Sequence, residues 1–262
     1  LELPEKVVEE NWLDLTDKQR ETYDQIEENG KRGLMGPNVT RLHVFALISR
    51  LKQVCNLEEA TLESSKLDCL RDKLESILEN DHKALVFSQF PNKTLALISP
   101  SLEAFDPAMY DGSLPESARE KIVKEFQETN SPKVLLMSLG AGGLGISLTR
   151  ASHVFHFDHW WNPAVSKQAE ARAYRIGQKE TVFVQELYTN NTIEYDIYKI
   201  LERKQQLFDE VIDELSVEDA LSYFTDKDLF GLFDLEPPVH LRVEATKQPL
   251  AKQLARILTQ IR

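Results

Sequence analysis

The stretch KVLLMSLGAGGLGISLTRASHVFHFD, residues 133–158, decides the fold that the sequence predicts. Two short apolar runs, 133–138 and 153–158, stand on either side of a glycine-rich loop. Runs that are apolar almost throughout are typical of strands covered on both faces, as the strands of a parallel sheet are. The stretch therefore predicts two strands of a parallel sheet with a glycine loop between them.

The glycine loop matches a dinucleotide-binding loop letter for letter. Gly140, Gly142 and Gly145 fit the pattern G-x-G-x-x-G, and Asp158 follows where that fingerprint has its acidic residue. A bound pyrophosphate also needs the N-terminus of a full helix behind the loop. Only seven residues, 146–152, precede the next strand, whereas a crossover with its helix takes about 10–12 residues or more. This spacing argues against a nicotinamide or flavin enzyme.

The segments around this stretch alternate strands with helices. One helix is expected around 93–104, and another begins with the capping-box pair Ser113 and Glu116, with Pro115 in its first turn. This order predicts an α/β fold, a doubly wound parallel sheet with helices on both faces. The remaining predicted strands are 83–88, 108–112 and 181–188.

The N-terminal flank reads as helical. Residues 12–79 follow a helical pattern, and breaks are expected at 30–37 and 56–64. The whole flank, residues 1–80, is therefore expected to be a helical segment ahead of the α/β unit.

The C-terminal flank begins with a long amphipathic helix, expected over 192–215 and opened by a capping box of Asn191 and Glu194. The tail 216–262 follows, broken by a Pro-Pro pair before a last short helix. Its apolar residues could dock on the α/β unit or offer a surface to a partner, and the sequence leaves both open. They are Tyr223, Phe224, Leu229, Phe230, Leu232 and Phe233.

Composition and charge exclude several classes of protein. The chain has 262 residues, of which 42% are hydrophobic, and its formal net charge is −12, which argues against coating nucleic acid by bulk electrostatics. Residues 81–190 are nearly neutral, with 11 basic and 12 acidic side chains, so a local nucleic-acid groove stays open. No long apolar run or signal sequence is present, and we expect a cytoplasmic protein without a membrane span.

Metal and Walker motifs are not expected. His153, His156 and His159 recur every third residue, but the first two point to opposite faces of a regular strand and cannot converge on a metal ion. Cys55 and Cys69 are too few for a zinc site. The chain also lacks a Walker loop, since its Gly-Lys pair is followed by arginine instead of serine or threonine.

A second helix of interest follows the strand at 153–158. Asn162 is its predicted cap and Gly177 its stop, which places Gln168, Arg172 and Arg175 at i, i+4 and i+7 on one stripe. One interpretation is that cations are favourable in the last helical turn. The other is that two guanidinium groups lie side by side to bind a phosphoryl group, whose oxygens fit their bidentate forks.

Five segments together carry a resemblance to a known family. The chain resembles motifs IV to VI of the second RecA-like lobe of Swi/Snf-type DNA translocases, in helicase superfamily two. The resemblance runs from about residue 3 to 215, and the sequence WWNPAV is similar to that of several bacterial members. The resemblance implies an inter-lobe segment at 1–80, a RecA-like lobe at 81–215 and an accessory tail at 216–262. The segments are ALVFSQF (84–90), YDGSLPESAREKIVKEF (110–126), LLMSLGAGGLGISLT (135–149), FDHWWNP (157–163) and QAEARAYRIGQ (168–178).

The resemblance implies roles for matching positions. Arg172 and Arg175 correspond to arginine fingers, and Trp161 to a tryptophan at the DNA groove, although packing within the lobe is an open alternative for both Trp160 and Trp161. Nucleotide contacts are implied for Gln168, Gly143 and Gly145, and contacts with DNA for Ser88, Gln89, Ser138, Gly142 and Trp161.

The implied function is that of the second motor lobe of an ATP-dependent double-stranded-DNA translocase or remodeller, a DNA-dependent ATPase. ATP and Mg²⁺ would be bound mainly by an N-terminal RecA-like lobe of the same protein, so the isolated segment is expected to be inactive. Expected partners are double-stranded DNA, that first lobe and a protein that binds the tail. The compartment would be the cytoplasm, at the nucleoid in a bacterium, or the nucleus in a eukaryote.

Three positions depart from the family pattern. Ala171 stands where the family commonly has aspartate, Gly140 where it has a cation, and Ser147 where it has asparagine. Losing the acid beside Arg172 removes an expected orienting partner. These departures leave an alternative open, in which the chain is a non-catalytic motor-like lobe that acts as a protein-interaction module.

Overall fold

The structure is a computed structural model that describes residues 3–140, 145–208 and 224–244. Within these ranges the strands form one six-stranded sheet with the order β1-β6-β5-β2-β4-β3, and every pair is parallel. The predicted doubly wound parallel sheet is thereby confirmed. The strands are β1 (Lys6–Leu13), β2 (Lys83–Ser88), β3 (Pro107–Tyr110), β4 (Val134–Ser138), β5 (Ala151–His156) and β6 (Val182–Thr189).

Helices lie between the strands along the chain, and others follow the last strand towards the C-terminal end of the described residues. No helix in the described part of the chain is long and apolar enough to cross a bilayer. The helices are α1 (Asp17–Leu34), α2 (Arg41–Asn56), α3 (Ser65–Glu79), α4 (Ala96–Ile98), α5 (Glu116–Glu128), α6 (Pro163–Glu170), α7 (Ile193–Phe208), α8 (Asp226–Gly231) and α9 (Val239–Glu244).

Apolar cores lie on both faces of the sheet. On one face, Leu70 and Leu74 of α3 pack with Val86 and Leu136 of the central strands. On the other face, Phe126 of α5 and the residues around α6 pack against the alternate positions of the same strands. Successive strand residues point to opposite faces, so each central strand contributes side chains to both cores. This is why its sequence is apolar almost throughout.

A third core is helical and lies beside the sheet. It joins α1, α2 and α7 to the C-terminal segment, where Phe224, Leu229, Phe230 and Phe233 are buried. These four tail residues therefore pack on the lobe, and they do not form an exposed partner surface. Tyr223 lies outside the described residues.

The N-terminal flank is not wholly helical. Strand β1 pairs with β6 along its whole length and forms one edge of the sheet, so residues 1–80 contribute to the RecA-like unit as well as preceding it. The five residues that begin the strand are exposed. Because most of its side chains are exposed, this edge strand lacks the continuous apolar run by which the central strands are predicted.

Two predicted caps do not form. Ser113 binds the Asp111 carboxylate through both its backbone N–H, at 2.7 Å, and its hydroxyl, and α5 begins after Pro115 without a side-chain cap. At α7, Thr192 accepts the backbone N–H of Glu194 at 3.2 Å, and the Glu194 carboxylate accepts the backbone N–H of Thr189 at 3.0 Å. At the first site a bond to Asp111, two residues earlier, replaces the cap, and at the second the Glu194 carboxylate is held by Thr189 and by Lys66 of α3.

The helix expected around 93–104 is a composite. A π turn at Pro91–Leu95, the short α4, and a 3₁₀ turn at Ser99–Phe105 follow one another. Pro100 lies at the start of the 3₁₀ turn. A proline lacks the N–H that an α-helix needs, which explains why one regular helix does not run through this segment.

Candidate functional site

The carboxyl ends of the strands bring several predicted site residues to one edge of the sheet. Ser88 ends β2 and lies in register with Ser138, which ends β4. In open parallel sheets this edge is where ligands bind, next to the point at which the strand order reverses. Here the chain crosses from β4 to β5 on the other side of β2. Gly142 and Gly143 belong to the loop after β4, and both lie outside the described residues.

Asp158 organises this edge. Its carboxylate accepts hydrogen bonds from the Asn56 side chain at 2.7 Å, from the Gln89 backbone N–H at 2.9 Å and from the Ser88 hydroxyl. The acid that would bind a ribose in a dinucleotide site is therefore buried and occupied by the protein itself.

Ser88, the last residue of β2, and Gln89, which follows it, differ in exposure. The Ser88 side chain is fully buried, so a phosphate could reach its hydroxyl only if the bond to Asp158 opened. The Gln89 side chain is half-buried and donates to the His159 carbonyl at 3.0 Å. A direct contact of either residue with DNA stays a prediction.

A buried ion pair joins this edge to the helices. Lys66 of α3 donates to Glu194 of α7 at 2.7 Å, to the Phe157 carbonyl at 2.9 Å and to the Asn56 side chain at 3.2 Å. Its side chain is completely buried, and that of Glu194 is 3% exposed. Removing one partner of such a pair leaves an unpaired buried charge, which costs about 3–5 kcal/mol. Nothing in the local sequence around Lys66 predicts this role.

Trp161 lies in the helical core and not at an open groove. Its ring packs edge-on against Phe45 of α2 at 5.5 Å and against Phe224 at 5.1 Å. The Lys52 ammonium lies 5.7 Å from the ring centre, and the residue is 8% exposed. In this structure Trp161 therefore packs within the lobe. A direct contact with DNA would require α2 and the C-terminal segment to move away from its ring.

Helix α6 is shorter than predicted. Asn162 caps it, accepting the Ala164 N–H at 2.9 Å, and the helix ends at Glu170 with Ala171 as its C-cap. Residues 171–177 form turns, so the expected stripe of Gln168, Arg172 and Arg175 along one helix is wrong. Gln168 is exposed on the helix and Arg172 is buried in the turn that follows.

Tertiary hydrogen bonds explain why the helix stops. The Arg172 carbonyl accepts the Leu148 N–H at 2.8 Å, a bond to another segment that a continuing helix would not make. Gly177 then adopts a φ of +106°, a conformation that favours glycine. The predicted left-handed turn at Gly177 is therefore present, although it ends a series of turns and not a helix.

Arg172 lies in an unusual environment for a guanidinium group. The residue is 4% exposed, and its Nε has no hydrogen-bond partner among the described residues. Within that part of the chain Arg172 also forms no ion pair with a carboxylate. Burial lowers the pKa of Arg172, and the cation of Arg175 acts in the same direction against an opposing effect of Tyr110.

Arg175 ties the turn to the glycine loop. One of its terminal nitrogens donates to the carbonyls of Gly145 at 3.2 Å and Ile146 at 3.4 Å. Gly145 is exposed and has a φ of +33°. The structure therefore brings Arg172, Arg175 and Gly145 together, while Gln168 lies on the preceding helix.

Comparison with known proteins agrees with this geometry. Residues 65–177, from the start of α3 to Gly177, match the family model of the helicase conserved C-terminal domain. The solved structure of the SWI2/SNF2 ATPase core of Sulfolobus solfataricus, in complex with double-stranded DNA, superposes with a TM-score of 0.71 at 27% identity and covers 89% of this chain and 51% of that one. The chain carries a SWI2/SNF2-type helicase C-terminal lobe.

Curated relatives of this SWI2/SNF2-type lobe occur in bacteria and plants. YwqA of Bacillus subtilis, named as a candidate ATP-dependent helicase/translocase, is 36% identical over 86% of this chain and 26% of its own length. The DNA repair protein RAD5B of Arabidopsis thaliana is 40% identical over 66% of this chain and 14% of its own. The chain spans about a quarter of the length of the first relatives it matches.

Proposed function

We propose that this chain is the second motor lobe of an ATP-dependent double-stranded-DNA translocase, and that Arg172 and Arg175 stabilise negative charge on the phosphoryl group during ATP hydrolysis. The observation that carries the proposal is the buried Arg172, whose Nε has no partner among the described residues and whose neighbour is a second arginine. Two adjacent guanidinium groups repel each other unless an anion lies between them.

The residues present fit a triphosphate. A buried arginine without a counter-charge is costly to the fold, and an anion that arrives from another lobe would offset that cost. When bound, ATP with Mg²⁺ supplies the phosphoryl group whose transfer to water releases free energy. Arg172 and Arg175 would hold that group, and Gly145 and the neighbouring Gly143 would approach it through their backbone.

The DNA side of the proposal rests on the carboxyl edge of the sheet. Ser138 ends β4 and Gln89 follows the end of β2, so both lie at that edge, while Gly142 follows in the sequence and lies outside the described residues. Small side chains and backbone N–H groups allow a phosphate backbone to come close. The complex of the Sulfolobus relative with double-stranded DNA supports this choice of partner.

The decisive experiment joins this chain to its upstream lobe and replaces Arg172 and Arg175 by alanine, one at a time. An arginine finger contributes roughly 10³-fold or more to kcat, so DNA-stimulated ATP hydrolysis should fall by about that factor in each variant. Arg150→Ala removes an exposed arginine and serves as the matched control. Hydrolysis that survives both finger substitutions would refute the assignment.

The isolated chain should not hydrolyse ATP, because we assign the Walker loop and the Mg²⁺ ligands to the other lobe. The measurement is phosphate release by the purified chain with double-stranded DNA added. Substantial turnover would overturn the division of the motor into two lobes. The compartment in which the motor works stays a prediction, as do the Gln168 contact and the Trp161 contact with DNA.

A non-catalytic interaction module is the second candidate, favoured by Ala171 and Gly140, which depart from the family pattern. The tail residues that could form its partner surface are buried wherever the structure describes them, as Phe224 and Phe230 are, which weakens that candidate. DNA-stimulated hydrolysis by the joined lobes would exclude it.

A further inference from the structure

Glu170, the last residue of α6, is a buried carboxylate that the expected site does not include. Its side chain is 8% exposed. Lys6 of β1 donates to Oε2 at 2.8 Å, and Nε2 of His156 on β5 lies 3.4 Å from Oε1. The carboxylate thus joins the end of α6 to two strands of the sheet.

The two partners of Glu170 differ in burial and in the kind of contact they make. His156 is fully buried, and the approach of its Nε2 to Glu170 lacks the alignment of a hydrogen bond. Lys6 lies on the edge strand, and its ammonium is also 5.6 Å from the ring centre of Tyr174. Burial alone raises the pKa of Glu170, but the contacts with His156 and Lys6 outweigh it, and the net shift is downward. Glu170 is therefore ionised at neutral pH and holds Lys6 in place.

The backbone of Glu170 reaches the arginine turn directly. Its carbonyl accepts the N–H of Ala173 at 3.0 Å and that of Tyr174 at 2.8 Å. These two bonds close the chain around Arg172. Lys6 contacts Glu170 on one side of Arg172 in the sequence and Tyr174 on the other. Glu170 is thus anchored to the sheet by its side chain and to the turn by its backbone.

We propose that Glu170 is a positioning residue for Arg172, and that Lys6 and His156 hold it against the sheet so that the turn presents the guanidinium group in one geometry. The proposal rests on the proposed function. Arg172 forms no ion pair with a carboxylate among the described residues, and position 171 is alanine. Glu170 orients Arg172 through its backbone carbonyl, which accepts the N–H groups of Ala173 and Tyr174.

The test uses the protein with its upstream lobe and measures DNA-stimulated ATP hydrolysis, DNA affinity and thermal unfolding. In Glu170→Gln and Lys6→Met we expect kcat to fall about 10- to 100-fold, since misplacing a catalytic group by about 1 Å has effects of this size. KM for ATP and DNA affinity should change little. Lys6→Arg keeps the cation and should retain most of the activity. Glu180→Gln, which removes a half-exposed carboxylate paired with His82, is the matched control.

A double-mutant cycle separates positioning from simple loss of stability. Arg172→Lys keeps a cation without the planar fork and should leave a low, measurable rate. If Glu170 acts through Arg172, Glu170→Gln lowers kcat much less in that background than in the parent. An equal fall in both backgrounds overturns the proposal, and so does unchanged kcat in a folded Glu170→Gln protein. Full activity of Arg172→Ala would instead sink the proposed function itself.

Discussion

Trp161 fills the centre of the helical core, between Phe45 of α2 and Phe224 of the C-terminal segment. Truncating a buried aromatic side chain costs about 3–5 kcal/mol. We therefore expect Trp161→Ala to lower the free energy of unfolding of this chain by about that amount in a urea titration. Ile176→Ala, at a residue that is 74% exposed, should stay within about 0.5 kcal/mol of the parent. An unchanged free energy of unfolding in Trp161→Ala would place the ring outside the core.

His153 makes the stability of the fold depend on pH. Burial lowers its pKa from 6.5 to about 4, and the neighbouring His82 adds to the shift. Between these two values the unfolded chain binds a proton that the folded chain does not, so this group makes the free energy of unfolding fall as pH drops from about 7 toward 4.

His153→Gln should remove this contribution, and the difference in Tm between about pH 7 and pH 5 should shrink relative to the parent protein. Above about pH 8 the residue is neutral in both states, so parent and variant should respond alike to a further rise in pH. An unchanged difference between pH 7 and pH 5 would contradict the prediction.

At the scale of the element, α1 and α2 pack so closely that a glycine is needed at their contact. A Cβ added at Gly30 would lie 2.2 to 2.9 Å from three side-chain carbons of Leu47, whereas a Cβ at Gly33 would meet nothing within 4 Å. Both glycines lie within α1, where alanine is intrinsically favoured by about 0.5–1 kcal/mol.

The two glycines therefore form a matched pair. Gly33→Ala should raise the free energy of unfolding by about 0.5–1 kcal/mol, and Gly30→Ala should lower it because Leu47 must move out of a close-packed contact. Urea titration of both variants measures the two signs. An increase in Gly30→Ala equal to that in Gly33→Ala would show that the helices are not in close contact there.

Elements differ in how far the sequence predicts them. Strands β2 and β4 to β6 bury most of their residues, so their apolar runs mark them within one or two residues. Strand β1 lies at the edge of the same sheet with its first five residues exposed, so its mixed sequence KVVEENWL carries no continuous apolar run. The end of α6 could not be predicted from the local sequence either, because the Arg172 carbonyl accepts its hydrogen bond from Leu148, in a distant segment.

The site shows the same limit. The identity of the arginines and glycines predicts phosphate chemistry, since few residue types can carry it. Their arrangement depends on long-range contacts such as those of Lys6 with Glu170 and Lys66 with Glu194, which join segments far apart in the sequence. A charged residue at a single position does not indicate which distant partner will bury it.

At the scale of the whole molecule, the lobe depends on both flanks. The segment 81–215 alone lacks β1, α3 and the helices that cover one face and one side of the sheet. We expect this piece to show no cooperative thermal transition and to bind a dye specific for exposed apolar surface. The piece 3–244 should unfold cooperatively. A cooperative transition of 81–215 near the Tm of the longer piece would contradict this prediction.

The pairing of β1 with β6 has a consequence for synthesis. Lys6 lies opposite Val182, so the first strand leaves the ribosome on the order of ten seconds or more before its partner, at about 5–20 residues per second. During that interval its hydrogen-bonding groups have no sheet to join. The edge strand that is translated first is therefore paired last. A nascent chain stalled before residue 182 would expose the unpaired backbone groups of β1 to chaperones.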